Sequence, residues 1–360
     1  MPLSDLQPLP PKTELETPSV MRALVQAHRY LAELKGVAKT IPNEGILLSS
    51  LSLQEAQSSS AIENIITTQD ALFKHELQAG VIDPATKEVA HYAEALRLGY
   101  ALIKQQSSLT LNTILDIQAC LERNNAGLRK VSGTVLRNEQ TGKVVFEPPA
   151  PNLVQGYMSA LELFINNERT IDPLICMALI HYQFETIHPF YDGNGRTGRI
   201  VNILYLVLSG LLDVPVLYLS RYINQTRPEY YKGLQRVREN NDWESWLVYM
   251  LKGVSLTAQH TTSLIEGVRQ LLLAQKAVIR QRYKFYSQDL INNLFHHPYT
   301  KVAFLERDLK ISRATAARYL NALAEDELGV LVKHKEGREN YYVNFGLVDL
   351  LFNSPELVID

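Results

Sequence analysis

The chain has 360 residues, which at about 100–200 residues per domain predicts two or three domains. Hydrophobic residues make up 46% and charged residues 21%, a composition that is typical of globular proteins and excludes a disordered or collagen-like chain. The formal net charge of −2 gives no overall basic field. Any contact with nucleic acid would therefore depend on a local patch.

Neither a membrane span nor a secretory signal is predicted. The longest apolar stretch, residues 200–212, is shorter than the ~20 residues that a membrane helix requires. The proline-rich start lacks a charged segment followed by an apolar one. Cys120 and Cys176 lie in helical patterns without zinc-binding spacing, which predicts reduced thiols in a cytoplasmic protein.

Apolar residues recur at helical spacing along most of the chain, beginning with residues 20–41, where Pro42 and Asn43 end the pattern. The Ser-x-x-Glu pattern from Ser52 to Glu55 is typical of a capping box and predicts that a helix begins there and covers about residues 52–66. Further helical patterns follow at residues 91–105, 111–121, 154–166, 174–187, 195–210 and 227–251.

Two segments break this helical series. Residues 131–151 alternate polar and apolar side chains around Gln-Thr-Gly-Lys and end in prolines, which predicts one β-hairpin. Residues 284–360 predict two helices, a turn, a third helix over 313–324 and a hairpin over 330–343, the order of a winged helix-turn-helix. The predicted fold class is therefore mainly α.

Residues 188–199 read His-Pro-Phe-Tyr-Asp-Gly-Asn-Gly-Arg-Thr-Gly-Arg and connect two apolar helices. Pro189 ends the first helix and leaves His188 at its C-terminal edge. The Gly193-Asn194-Gly195 sequence permits a tight turn that directs N–H groups outward at a helix N-terminus. Such a terminus binds anions.

Charged side chains flank this turn. Arg196 and Arg199 are three positions apart on the new helix, so both can reach one anion. Asp192 supplies a hard oxygen ligand of the kind that Mg²⁺ uses to bridge a protein and phosphates. With His188 as a base, these groups predict phosphoryl or nucleotidyl transfer.

The same stretch resembles the signature of Fic-domain proteins, His-x-Phe-x-Asp/Glu-Gly-Asn-Gly-Arg-x-x-Arg, at every fixed position. The resemblance implies a Fic-type helical core that transfers AMP from ATP to a Tyr, Thr or Ser hydroxyl of a target protein and releases pyrophosphate. It also implies that His188 is the general base, that Asp192 holds Mg²⁺ and that Phe190 anchors the loop on the core.

The resemblance further implies how ATP is bound. The N–H groups of residues 193–195 would cradle the α- and β-phosphates, Arg196 would contact the β-phosphate and Arg199 the γ-phosphate. Tyr231 and Gln225 are the candidates for contacts to adenine. The hairpin over 131–149 would be a flap whose edge holds an extended segment of the target protein.

An inhibitory element is implied upstream. Residues 59–64, Ser-Ser-Ala-Ile-Glu-Asn, match the family's inhibitory-helix pattern Ser/Thr-x-x-x-Glu-Gly/Asn. In this interpretation Glu63 pairs with Arg199 and occupies the position of the γ-phosphate, so the carboxylate and the nucleotide compete.

Other enzymatic activities are open at this point. A phosphotransferase of the same family tends to carry a bulky basic residue where this chain has Gly195, and removal of AMP by the same site is a further alternative. His181, Glu185 and His188 share one helix face at i, i+4 and i+7, which would suit a metallohydrolase but lacks the His-Glu-x-x-His pattern.

A non-enzymatic alternative is a DNA-binding transcription regulator. The predicted recognition helix and wing carry Lys310, Arg313, Arg318, Lys333, Lys335 and Arg338. They are balanced by Glu306, Asp308, Glu325, Asp326, Glu327, Glu336 and Glu339. DNA binding and protein docking are therefore equally compatible with this unit. Whether the protein forms a homo-oligomer is also open.

The predicted domain organisation has four parts. An N-terminal helical region with the inhibitory helix covers residues 1–106, and the catalytic core covers 107–251. A connecting helix covers 252–283 and the winged-helix domain covers 284–360.

Overall fold

The computed structural model describes residues 6–77, 83–137, 142, 144–325, 329–336, 339–353 and 355–359. Within these ranges the protein has fifteen α-helices and two small antiparallel sheets. The mainly α fold class is confirmed. No helix in these ranges combines the length and the apolarity needed to cross a bilayer.

The helices are α1 Pro18–Ala38, α2 Glu44–Ile62, α3 Gln69–Glu76, α4 Pro84–Gln106, α5 Leu111–Glu122, α6 Pro151–Asn167, α7 Pro173–Ile187, α8 Asn194–Leu208, α9 Leu219–Gln225, α10 Arg227–Asn240, α11 Trp243–Arg282, α12 Gln288–His296, α13 Val302–Leu309, α14 Arg313–Glu325 and α15 Phe345–Phe352. The strands are β1 Leu136–Arg137, β2 Val144–Phe146, β3 Tyr299–Lys301, β4 Val332–Glu336 and β5 Glu339–Val343.

Helix α7 lies at the centre of the core. Every residue from 174 to 187 is buried, because other helices surround α7. A helix with no exposed face needs apolar residues all round rather than an apolar stripe. Helix α8 packs directly on α7, and Gly198 permits the approach, since a Cβ there would lie 2.9 Å from the Phe184 ring.

The predicted start of the inhibitory helix is wrong. Helix α2 begins at Glu44, where the Asn43 side chain caps it by accepting a hydrogen bond of 2.9 Å from Gly45 N. Ser52 lies within the helix and donates instead to the Leu48 carbonyl. Glu55 is fully buried. The Ser52–Glu55 pattern is therefore not a helix cap. Asn43, predicted to end the preceding helix, caps the start of α2.

The predicted helix over 227–251 is also wrong in its extent. Helix α10 stops at Asn240 because Asn241 adopts a left-handed conformation, with φ of 55°. Asp242 then caps α11 by accepting a 3.1 Å hydrogen bond from Ser245 N. Helix α11 continues for 40 residues, so the predicted boundary at residues 251 and 252 lies inside one helix.

The predicted hairpin is present as two very short strands. Strands β1 and β2 pair antiparallel, with Leu136 opposite Phe146. Of the predicted turn, Gln140, Thr141 and Lys143 lie outside the described residues. The Arg238 guanidinium stacks over the Phe146 ring at 3.9 Å from its centroid, which attaches β2 to α10.

The C-terminal unit has the predicted winged-helix order. Helices α12, α13 and α14 precede the β4–β5 hairpin, and β3 completes a sheet of strand order β3-β5-β4. The sharp turn before α14 uses Lys310 in a left-handed conformation, with φ of 55°.

This C-terminal unit packs directly on the helices that include the predicted inhibitory segment. The Gln54 amide of α2 donates a buried 2.7 Å hydrogen bond to the Leu351 carbonyl. The Phe73 ring of α3 stacks between Tyr299 and Phe352, at centroid distances of 5.4 and 5.8 Å. Helix α2 is therefore held from the C-terminal side as well as by the core.

We expect Phe73→Ala to weaken this contact. The side chain is 3% exposed, and a buried Phe→Ala change typically costs about 3–5 kcal/mol. Urea unfolding should show a clearly lower midpoint. Phe345→Ala is the matched control, because that side chain is 59% exposed and its loss should cost about 0.5 kcal/mol or less. Equal effects of the two substitutions would contradict the contact.

Candidate active site

The turn between α7 and α8 is fixed by packing and by one amide side chain. His188 ends α7 in a left-handed conformation, with φ of 49°, and its N–H donates to the Phe184 carbonyl at 2.9 Å. The Phe190 ring is fully buried, as predicted for the anchor. The Asn194 side chain accepts from Phe190 N at 2.8 Å and donates to Phe190 O at 2.9 Å. Asn194 therefore closes the loop.

The N-terminus of α8 has the features of an anion site. Gly193 precedes it with φ of 75°. The first hydrogen bond within the helix runs from Thr197 N to Gly193 O at 2.9 Å. The N–H groups of Asn194, Gly195 and Arg196 consequently have no carbonyl partner within α8 and present the positive end of the helix dipole.

A carboxylate already lies against this helix end. A Cβ added to Gly195 would lie 2.4 Å from Oε1 of Glu63. The same oxygen accepts a 2.9 Å hydrogen bond from Nη2 of Arg199. Partial burial alone would raise the pKa of Glu63, but the charge and the hydrogen bond of Arg199 lower it below its usual value. Glu63 is therefore ionised at neutral pH.

Arg199 is tied to α2 at two residues. Its side chain is 3% exposed. Besides Glu63, its Nε donates to Ser59 Oγ at 2.7 Å and its Nη2 to Ser59 O at 3.0 Å. Ser59 and Glu63 lie four positions apart, so both face Arg199 from one side of α2.

The end of α2 explains the residue after Glu63. Asn64 has φ of 60°, a left-handed conformation that Asn and Gly adopt most readily and that stops a helix. The Arg227 guanidinium donates to the Asn64 side chain at 3.2 Å and to the Ala61 carbonyl. The left-handed conformation of Asn64 and the hydrogen bonds of Arg227 together hold Glu63 at the end of α2.

Arg196 has different partners from Arg199. Its guanidinium is 3% exposed and donates to Glu88 at 2.7 Å and to Glu122 at 2.9 Å. The two arginines are thus separately paired: Arg199 binds α2, and Arg196 binds α4 and α5. The predicted contact of Arg196 with the β-phosphate stays a prediction.

Asp192 fits a magnesium ion that is bound mainly through phosphates. Its side chain is 79% exposed, and Oδ1 accepts a 2.7 Å hydrogen bond from Gly193 N. Among the described residues, no group of three His, Cys, Asp or Glu side chains could hold a metal ion. Mg²⁺ commonly takes one or two carboxylates together with water and substrate phosphates, so a single exposed carboxylate suits it.

His188 is a neutral imidazole in this environment. Burial, together with the charges of Arg129 and Arg238, lowers the pKa of His188 to about 4, and Glu63 opposes this shift. The Nδ1 atom is buried, and a hydrogen bond with the Glu185 main chain also opposes the shift. A neutral ring can accept a proton at pH 7, as a general base must.

In the part of the chain that the structure describes, His181, Glu185 and His188 do not form a metal-binding cluster. The His181 ring contacts Tyr230 Oη at 2.9 Å and stacks on Trp246. Glu185 is buried, and burial raises its pKa to about 7. His181 and Glu185 thus belong to the core behind His188.

The two candidates for adenine contacts lie on different helices. Tyr231 on α10 is 51% exposed and packs edge-on against Tyr230. Its pKa is raised by burial and by Glu63, so it lies within electrostatic range of the Glu63–Arg199 pair. Gln225 is exposed at the last residue of α9.

Two buried residues at this site were missed at the level of sequence. Glu55 accepts from Tyr92 Oη at 3.1 Å and from Ser220, and burial raises its pKa to about 7. Its spacing to Ser59 and Glu63, four and eight positions, was a signal that all three share one helix face. Arg129, 2% exposed beside His188, gave no signal, because a single arginine in a polar loop is normally exposed.

Three family models match the chain in succession. The Fic/DOC family N-terminal model matches residues 21–101, and the Fic/DOC family model matches residues 108–206. The model of the protein adenylyltransferase SoFic-like C-terminal domain matches residues 272–355.

Curated relatives cover parts of the chain. A probable protein adenylyltransferase of Aquifex aeolicus is 42% identical over 82 residues, which are 23% of this chain and 26% of that protein. The protein adenylyltransferase fic-1 of Caenorhabditis briggsae is 26% identical over 226 residues, 57% of this chain and 42% of that protein. The chain thus spans less than half the length of these relatives.

Solved structures share the fold over longer stretches. A Fic family protein from Desulfovibrio desulfuricans superposes with a TM-score of 0.59 at 21% identity, covering 94% of this chain and 98% of that one. Fic-1 of Caenorhabditis elegans gives a TM-score of 0.53 at 22% identity, covering 69% of this chain and 73% of that one. With the complete 188–199 signature and three successive matches, the chain belongs to the Fic family.

Proposed function

We propose that this protein is a protein adenylyltransferase that transfers AMP from ATP to a Tyr, Thr or Ser hydroxyl of a target protein. The observation that carries the proposal is the Glu63 carboxylate at the N-terminus of α8, beside neutral His188. It marks that helix end as an anion site within reach of a base. The names of the curated relatives support the same activity.

The reaction is a displacement at the α-phosphorus of ATP. The ring nitrogen of His188 accepts the proton of the target hydroxyl, and the hydroxyl oxygen forms a bond to the α-phosphorus. The bond from that phosphorus to the α,β-bridging oxygen breaks, and pyrophosphate leaves with the electron pair. The small Gly195 leaves room for a β-phosphate, which favours transfer of AMP over transfer of phosphate.

The nucleotide is held in this scheme by the N–H groups of residues 193–195 and by Arg199 at the γ-phosphate, and the Gly193 N–H has to leave Asp192 Oδ1 to take part. Arg196 contacts the β-phosphate in this scheme by exchanging one of its two carboxylate partners, Glu88 or Glu122. Tyr231 and Gln225 are the proposed adenine contacts. Asp192 would hold Mg²⁺, which would neutralise part of the phosphate charge when bound.

The resting protein is autoinhibited in this proposal. The γ-phosphate and Glu63 need the same guanidinium, so ATP with its γ-phosphate on Arg199 requires the carboxylate to leave. Support comes from the buried Arg199 contacts with Glu63 and Ser59. Removal of AMP at the same site is the alternative in the reverse direction.

Partners other than ATP follow from the flap and from the C-terminal unit. The target segment would bind along the flap over 131–149, by main-chain hydrogen bonds to an exposed strand edge. DNA binding by the winged helix stays a prediction. It is supported by the exposed basic residues of α14 and β4, Arg313, Arg318, Lys333 and Lys335.

The first test is His188→Ala. Loss of a general base should lower the transfer rate by about 10²–10⁴-fold while ATP still binds, because the helix N-terminus and Arg199 remain. Transfer of label from α-labelled ATP to proteins of a lysate measures the rate, and it also tests the proposed reaction itself. His334→Ala, on the C-terminal sheet, is the control. A His188→Ala protein of normal rate would refute the assignment of the base.

The second test is Asp192→Ala. If this carboxylate holds Mg²⁺, the substitution should weaken binding of Mg²⁺–ATP and lower the transfer rate together, and excess chelator should have the same effect on the wild type. Titration calorimetry with and without Mg²⁺ measures the binding. The exposed Asp116→Ala on α5 is the control. Transfer that persists in excess chelator would exclude the metal role.

The third test is Glu63→Gly. Freed Arg199 should raise label transfer about tenfold, since a charge-assisted hydrogen bond is worth about 1.5–3 kcal/mol and partial exposure of Glu63 favours the low end. The gain should vanish in Glu63→Gly, Arg199→Ala.

Glu33→Gly on the exposed face of α1 controls for weakening of a helix by glycine, which costs about 1 kcal/mol. If Glu63→Gly leaves transfer unchanged, or if Glu33→Gly raises it equally, Glu63 is not an inhibitor.

A further inference from the structure

Arg129 is a buried arginine between α5 and the flap that makes no ion pair among the described contacts. Its side chain is 2% exposed. All of its recorded side-chain hydrogen bonds go to main-chain carbonyl oxygens. A buried charge is costly unless its donors are satisfied, and here Nε and Nη2 donate to three carbonyl oxygens.

The carbonyl oxygens belong to two segments of the proposed active site. Nε donates to His188 O at 2.8 Å and Nη2 to Ile187 O at 3.3 Å, both at the end of α7. Nη2 also donates to Pro149 O at 2.5 Å, at the end of the flap. The Arg129 main-chain N–H donates to Pro189 O at 2.9 Å. One residue therefore connects the flap to both sides of His188.

This arrangement has a physical reason. The last carbonyl groups of a helix lack partners within the helix and form its negative end, so a cation is stabilised there. His188 needs support in addition, because a non-glycine residue in the left-handed region carries strain. The planar guanidinium can donate to several carbonyl oxygens in fixed directions, which a lysine cannot do.

Arg129 also acts on the imidazole electrostatically. The charged groups that act on His188 are Arg129, Arg238 on α10 and Glu63 at the end of α2. The two arginines disfavour the imidazolium form, and Glu63 favours it. Arg129 is the larger of the two arginine contributions, after burial.

We propose that Arg129 is a positioning residue that fixes the His188 backbone and attaches the flap to the turn that carries His188. The inference rests on the proposed function for its kinetic consequence. Arg129 is then hydrogen-bonded both to the end of the flap, which would hold the target segment, and to His188, the proposed base. A target bound on the flap is thereby aligned with the imidazole.

The test uses the full chain with Arg129→Met and Arg129→Lys. Ring-labelled histidine and NMR titration report the pKa of His188, assigned by its absence from His188→Ala. Amide exchange reports the flap strand β2. His181 is an internal control, since its low pKa arises from burial and Arg199. Arg123→Met is the matched variant, because Arg123 lies in the same loop, is exposed and pairs with Glu94.

In Arg129→Met the midpoint of the His188 titration should rise by about one pH unit, because a nearby like charge is removed. His181 should not move. The flap amides should exchange at least about tenfold faster, since a charge-assisted hydrogen bond is worth about 1.5–3 kcal/mol. In Arg129→Lys the midpoint should stay close to that of the wild type while the flap still loosens, because the charge remains and the fork of donors is lost.

Enzyme kinetics distinguish the same two roles of Arg129, the electrostatic effect on His188 and the connection to the flap. Arg129→Met should move the acidic limb of the kcat profile to higher pH and raise KM for the target. Arg129→Lys should raise KM without moving the limb. A merely structural residue would lower the amount of active protein and leave the pH profile in place.

The outcomes are decisive. An unchanged His188 midpoint in folded Arg129→Met, or the same shift in Arg123→Met, would overturn the electrostatic role. If Arg129→Met fails to fold, normal flap exchange in Arg129→Lys would overturn the connecting role. Titration and exchange need no substrate, so they can succeed even if the wild type transfers no AMP, and that result would refute the proposed function alone.

Discussion

The constraint on which the site depends is the burial of the Arg199 guanidinium. The side chain is 3% exposed, and a buried guanidinium without partners would cost several kcal/mol. Its partners, Ser59 and Glu63, both come from α2. Arg199 lies in α8, directly after the motif turn. The carboxylate of Glu63 lies at the end of a helix 136 positions earlier in the chain. The C-terminal end of α2 is thus attached to α8 through Arg199.

This constraint makes the contact between Glu63 and Arg199 part of a larger packing arrangement. Helix α2 is buried from Ile46 to Ile62 on several faces, and Gln54 and Arg227 hold it from two further directions. A whole-helix departure would expose all of these surfaces. Movement of the Glu63 side chain alone exposes little, because Glu63 directly follows the last residue of α2 and its side chain is already 38% exposed. Side-chain displacement at the helix end is therefore the lower-energy route to a free Arg199.

The sequence predicted the pairing of Glu63 with Arg199 correctly, but not the bounds of the helices that carry or surround the pair. The 188–199 signature and Glu63 could be identified because the chemistry is encoded in contiguous residues. The start of α2 was wrong because Ser52 and Glu55 imitate a cap, whereas their burial is decided by α4 and α9, distant in sequence. The break between α10 and α11 depends on the backbone of Asn241, which apolar spacing does not report. Arg129 was missed for the same reason, since only the fold brings it beneath His188.

Gly195 leaves space that is used both by the Glu63 carboxylate in this structure and by the nucleotide in the proposed reaction. It lies in the first turn of α8, outside the group of residues with positive φ, so no unusual backbone conformation requires glycine. What requires it is space, since a Cβ would lie 2.4 Å from the Glu63 carboxylate and 2.9 Å from Arg199. In the proposed reaction the same space receives the β-phosphate. The inhibited and the nucleotide-bound states therefore need the same absence of a methyl group, and a larger residue at this position would disturb both. Under the proposed autoinhibition, selective release has to act on Glu63 rather than on the turn.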